Sequence, residues 1–142
     1  MINSKADPMA DVFGAGEISN PEEVKAFRKE IKEYGVELVE REKELLAYSP
    51  GLSPGKPGTI YVSKNASYSA WLHEIQHMRD DKDAGWVGMR IMCDPDKRYA
   101  MEVAAYDCEI ELALSANRPD IADILRNNLE EERRLIYGES VD

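Results

Sequence analysis

Apolar and polar positions change period several times along this chain, and each change marks an element. Val24, Phe27 and Ile31 recur at helical spacing behind Asn20-Pro21-Glu22-Glu23, which supplies an N-cap, a proline at the first helical position and acids in the positive first turn. A helix is predicted from there to about Tyr34, with Gly35 ending it. Residues 36 to 41 then alternate, Val36 and Leu38 against Glu37 and Glu40, and Leu45-Leu46-Ala47-Tyr48 forms a second short apolar stretch. Ser49 to Gly58 is too rich in Pro and Gly for a helix, and Thr59-Ile60-Tyr61-Val62-Ser63 after it is β-branched and aromatic. Three strands are expected here, the last of them the best defined.

Helical spacing returns near Asn65 to Ser69 and runs through Met78, with Tyr68, Leu72 and Ile75 as its core face. The polar and Gly-punctuated run from Arg79 to Gly88 predicts a connection. A long helix follows from about Asp96 to Ala116 on Met101, Ala104, Ala105, Cys108, Leu112 and Ser115. Pro119 permits a fresh start, and Ile121, Ile124, Leu125, Leu129, Leu135 and Ile136 outline a last amphipathic helix. Its Glu130-Glu131-Glu132-Arg133-Arg134 tract reads as a solvated side with local ion pairs, requiring no functional account. Residues 1–19 have no sustained period and read as a flexible arm or a surface strap before one domain over 20–142. The class is α+β: a small antiparallel or mixed sheet of about three strands packed on one central helix and two further long ones.

Length and charge narrow the possibilities. At 142 residues the chain holds one core, and its formal charge of -10 disfavours nucleic acid and anionic membrane as partners while favouring cationic ones. Cys93 and Cys108 form no CxxC pair and read as thiols of a cytoplasmic protein. No apolar leader follows Met1, and no run is apolar enough to span a membrane.

Chemistry concentrates in His73-Glu74-Ile75-Gln76-His77, which contains both histidines of the chain. On a helix, positions 73 and 77 lie one above the other, so two imidazoles can meet one metal ion, while Glu74 is rotated toward a water on that metal. By chance such a pentapeptide arises on the order of once in several hundred chains of this kind, so its context decides. It lies after a strand, inside a helix and before a second helix with carboxylates. Catalytic zinc takes three protein ligands, and with no third histidine the remaining one is expected to be a carboxylate. Glu102 is the leading candidate, with Glu109, Asp81 and Asp83 as alternatives, and Asp107 suits an outer or capping role. Tyr106 or Tyr99 can serve a developing oxyanion. Trp71 and Trp86 read as packing more readily than as pocket lining, and Gln76 as a solvent contact.

In Gly58 to Ser63, Ser69 to His77 and Tyr99 to Asp107 the chain resembles the zincin-like metallopeptidases, specifically small phage-encoded or polymorphic-toxin domains related to minimal gluzincin cores. The resemblance implies a minimal zincin-like fold whose short sheet precedes the active-site helix, with residues 59–63 as the edge strand that binds extended peptide. It maps a ligand glutamate followed by alanine onto Glu102 and Ala105. It also implies zinc held by His73, His77 and Glu102, Glu74 as general base and a protein or peptide substrate, with delivery by a phage or secretion system as one option beside a cytoplasmic location. The gluzincin aspartate four residues after the glutamate is displaced, since Tyr106 stands there and Asp107 one beyond, so the partner orienting the histidines is unassigned. Two other functions stay open: a non-catalytic interaction or morphogenesis protein retaining a zincin shell, and a metal-dependent hydrolase of a non-peptide bond. Self-association is also open.

Overall fold

The computed structural model describes residues 6–41 and 46–138. Two very short helices, α1 (Ala10–Phe13) and α2 (Gly16–Ser19), precede α3 (Pro21–Glu33). Strands β1 (Glu37–Arg41), β2 (Ala47–Ser49) and β3 (Thr59–Ser63) follow, then α4 (Tyr68–Asp83), a 3-10 turn (Gly88–Cys93), α5 (Pro95–Ser115) and α6 (Pro119–Ile136). The α+β class is as expected, with a three-stranded mixed sheet. Among the described residues no helix is long and apolar enough to cross a membrane. Leu45 of the expected second strand lies outside the described residues.

The strand order corrects one expectation. β3 pairs in parallel with β1 and antiparallel with β2, so the order is β1-β3-β2 and residues 59–63 form the centre of the sheet rather than its edge. Burial agrees, for Ile60 and Val62 are wholly inside while β1 shows a half-exposed pattern. The edges belong to β1 and β2.

Two apolar clusters form the core, the first including residues of α4 and the second residues of α5. Val24, Phe27 and Ile31 of α3 pack with Ile60, Val62, Trp71, Ile75 and Met78 against the sheet, which makes Trp71 core and leaves Trp86 half-buried at its margin. Met9, Ile110, Ala113, Ile121, Ala122 and Leu125 form the second cluster between α5 and α6. Buried Met9 joins residues 7–19 to the domain as a strap. Asp7 accepts hydrogen bonds from the backbone N–H and hydroxyl of Ser67, whose own Oγ caps α4 by accepting from Ala70 N at 3.1 Å. Gly16 N donates to Ala66 O at 2.7 Å, and a side chain at Gly16 would meet the Tyr68 backbone nitrogen at 2.9 Å, so the strap lies directly on the entry to α4.

Helix α4 runs five residues past its expected end at Met78, through Asp83. Its polar last turns have tertiary partners: Arg79 grips Glu30 through Nε and Nη2 at 2.7 and 2.8 Å, and Asp81 is buried. Gly85, at φ 84°, then closes the helix. Asp81 accepts from Tyr48 Oη at 2.6 Å and Val87 N at 3.0 Å, while Tyr48 Oη accepts from Gly58 N at 3.1 Å. The approach requires glycine at position 58, where a Cβ would lie 2.8 Å from Tyr48 Oη and 2.0 Å from Ser49 O. This network ties β2 to the helix bearing both histidines. Tyr48→Phe leaves the Asp81 carboxylate short of a donor in the interior, and is expected to cost about 1–3 kcal/mol, measured by urea denaturation.

Candidate metal centre

Ser67 and Asp7 fix where α4 starts, and the helical repeat then stacks Ser69, His73 and His77 on one face. α5 returns alongside after the 3-10 turn. Asp94, whose side chain accepts from Lys97 N, and Pro95 at the first helical position set its start. The buried side of α5 is Ala105, Glu109, Ile110 and Ala113, so the expected apolar stripe is rotated: Ser115 is exposed and Cys108 half-buried. Ala105, one turn from Glu102 and Glu109 on α5, is small and fully buried. Glu102 and Glu109 occur two turns apart on α5 and both reach α4.

The resulting geometry is tight. Glu102 Oε1 lies 3.2 Å from His73 Nε2, Glu102 Oε2 lies 3.1 Å from His77 Nε2, and the two Nε2 atoms are 3.1 Å apart. These three side chains can hold a metal ion, with one donor atom each lying within 4.8 Å of the others. The spacing fits a tetrahedral ion: bonds of about 2.0–2.1 Å place the ligand atoms about 3.3 Å apart. Glu109 is not a member of the trio. Its Oε2 accepts from His73 Nδ1 at 2.8 Å, and its Oε1 accepts from Ser69 Oγ at 2.7 Å. With the proton on Nδ1, the Nε2 lone pair of His73 faces the centre. Glu109 is thus the orienting partner that the sequence left unassigned. Glu109→Gln is expected to weaken metal affinity about 10–100-fold, measured by chelator competition. His77 Nδ1 is buried and meets no hydrogen-bond partner among the described residues.

Glu74 completes the cluster. It is 5 % exposed, faces the same cavity as the trio, and takes no hydrogen bond or ion pair from any described residue. Burial raises the pKa of its carboxyl, against the pull of His73 and His77. Glu102 moves the other way: burial would raise it, but the hydrogen bonds with His73 and His77 hold it well below the usual carboxylate range. Burial opposes charge on His73, yet its contacts with Glu102 and Glu109 raise its pKa overall. Tyr106 stands edge-on to the His73 ring, with centroids 4.7 Å apart, and its hydroxyl is pushed up by burial and by Glu109.

These groups open on a cavity of about 330 Å³, bounded by Leu46, Ala47 and Tyr48 from the β2 side and by Asn128, Glu131, Glu132 and Leu135 from α6. The expected solvated side of α6 is corrected at this point: Glu130 pairs outward with Arg133, but Glu131 and Glu132 wall the cavity. Leu135, expected in the core, is 56 % exposed. Burial, then the charge of Glu102, raises the carboxyl of Glu132.

Other expected residues fall elsewhere. Asp81 holds Tyr48 and Val87 as described, Asp83 is exposed at the end of α4, and Asp107 is exposed rather than in an outer shell. Tyr99 packs on Tyr137, with centroids 6.1 Å apart, and does not line the cavity. Gln76 donates to Asp80 at 2.9 Å, so it has a protein partner. Cys93 and Cys108 are free thiols. The sequence reading missed Ser69, Tyr48 and the α6 wall. Ser69 was detectable, being one turn before His73, whereas Tyr48 and Glu132 carry no local signal. In comparisons with known proteins, no family model, curated protein or solved structure matched the chain.

Proposed function

We propose that the chain is a zinc-dependent peptidase of zincin-like type. The observation that carries the reading is Glu74: a buried carboxylate with no hydrogen-bonding partner among the described residues, aimed into the cavity where His73, His77 and Glu102 converge. A desolvated, unengaged carboxylate is costly to fold and suited to holding a proton in transit. Two imidazoles and one carboxylate match the ligand set of hydrolytic zinc, which leaves a coordination position open.

Zinc held by His73, His77 and Glu102 would supply Lewis acidity to polarise a carbonyl and acidify water. Glu74 takes the proton of the attacking water and passes it to the departing amine, a role suited to a carboxylate that faces the cavity without a hydrogen-bond partner among the described residues. Glu109, held by Ser69, keeps His73 in the Nδ1–H tautomer. Tyr106, whose hydroxyl stays protonated, donates toward the oxyanion. The sheet edge at the cavity is β2, anchored through Tyr48, and an extended peptide aligned along Ala47–Ser49 would be held by β-augmentation. A peptide library incubated with the zinc-loaded chain tests the reading. Time-dependent cleavage that a chelator stops and zinc restores supports it. Stoichiometric zinc without cleavage favours the non-catalytic alternative.

A further inference from the structure

One wall of the cavity is built by one face of α6, where Asn128, Glu131, Glu132 and Leu135 follow at helical spacing. No Lys or Arg is among the described residues lining the cavity, while five carboxylates are: Glu74, Glu102, Glu109, Glu131 and Glu132. The charge of a divalent ion does not absorb them. Glu102 and Glu74 together neutralise the ion, and Glu109, though bonded to His73 and Ser69, makes the balance negative. Glu132 adds to that excess from the α6 wall. It forms no hydrogen bond or ion pair with any described residue, and Arg98 is felt only through space. Glu74 faces the same space, 5 % exposed and without a hydrogen-bond partner among the described residues. Leu135 stands one turn beyond Glu131 and, being 56 % exposed, offers an apolar rest for the stem of a long cationic side chain.

We propose that Glu132 is a specificity-determining residue, making the cavity select a substrate with a Lys or Arg side chain next to the scissile bond. The proposal rests on the peptidase reading for its context. Its physical basis is a charge-assisted contact in a partly desolvated cleft, with the aliphatic stem lying on Leu135.

Paired peptides carrying either arginine or its neutral isostere citrulline at the positions flanking the cleavage site measure this selectivity, with the zinc-loaded full chain as enzyme. The expected result is an arginine preference of about tenfold in kcat/KM, falling to within about twofold in Glu132→Gln and reversing toward glutamate-bearing peptides in Glu132→Lys. Thermal unfolding of each variant shows that the fold is intact. A second readout does not need turnover: titration of the zinc-loaded chain with Nα-acetyl-argininamide and Nα-acetyl-citrullinamide, followed by NMR. Tighter binding of the arginine compound that Glu132→Gln removes supports the proposal. Cleavage without arginine preference, or a preference that Glu132→Gln leaves unchanged, overturns the proposal while sparing the peptidase reading. If no peptide is cleaved, the peptidase reading fails and the binding ratio alone decides the selectivity.

Discussion

Glu74→Gln is expected to lower kcat/KM for peptide hydrolysis by about two to four orders of magnitude while leaving bound zinc unchanged. Glutamine keeps the size and shape of the side chain but cannot take a proton. Metal should stay because the converging donors are His73 Nε2, His77 Nε2 and Glu102, and Glu74 is not among them. The variant should also unfold no earlier than the parent, since it replaces a buried carboxylate lacking a described hydrogen-bond donor with a neutral group. Steady-state kinetics with elemental analysis of the same samples measures both effects. Activity retained in Glu74→Gln would remove the general-base role, and loss of zinc would make Glu74 a ligand.

Removing Glu102 acts on the other half of the site. Zinc binding of roughly 10–16 kcal/mol, spread over four ligands, is roughly 2.5–4 kcal/mol each, so Glu102→Ala is expected to weaken zinc affinity by about two to three orders of magnitude. Glu102 contacts both imidazoles, at 3.2 and 3.1 Å, so its loss also leaves the two Nε2 atoms facing each other at 3.1 Å with nothing between them. The effect should exceed that of Glu109→Gln, which preserves the three donors and disturbs only the orientation of His73. Competition against a zinc chelator of known affinity ranks the three proteins as parent, Glu109→Gln, Glu102→Ala. If Glu109→Gln were the weaker binder, the third ligand would be Glu109.

Much of this site is local and was therefore legible. His73 and His77 share a face because they are four apart on a helix. Glu102 was reachable because a helix entering after one connection can pack back against the first. The bounds of α3 and α6 came from their prolines and apolar stripes. What escaped depends on how distant parts dock. Nothing within Thr59–Ser63 says that β1 and β2 flank it on both sides, and a chain crossing moved it from the edge to the centre. The polar turns after Met78 read as the end of a helix because Glu30 and Tyr48, which satisfy Arg79 and Asp81, are remote in sequence. Glu132 read as solvated for the same reason: a charged face looks alike whether it borders water or a cavity. Glu109 shows the intermediate case, for its spacing from Glu102 put it near the metal, and only the 2.8 Å contact with Nδ1 rather than Nε2 made it an orienting group.

The central claim is a metal centre built by His73, His77 and Glu102 with a position left open for substrate. Anomalous diffraction at the zinc absorption edge, from crystals of the full chain grown with one equivalent of zinc, tests it most directly. The account predicts one strong peak about 2.0–2.1 Å from Nε2 of His73, Nε2 of His77 and a carboxylate oxygen of Glu102, with Glu109 still on His73 Nδ1 and Glu74 outside bonding distance of the ion. A peak elsewhere, ligation by Glu109 in place of Glu102, or no peak at stoichiometric zinc would contradict it.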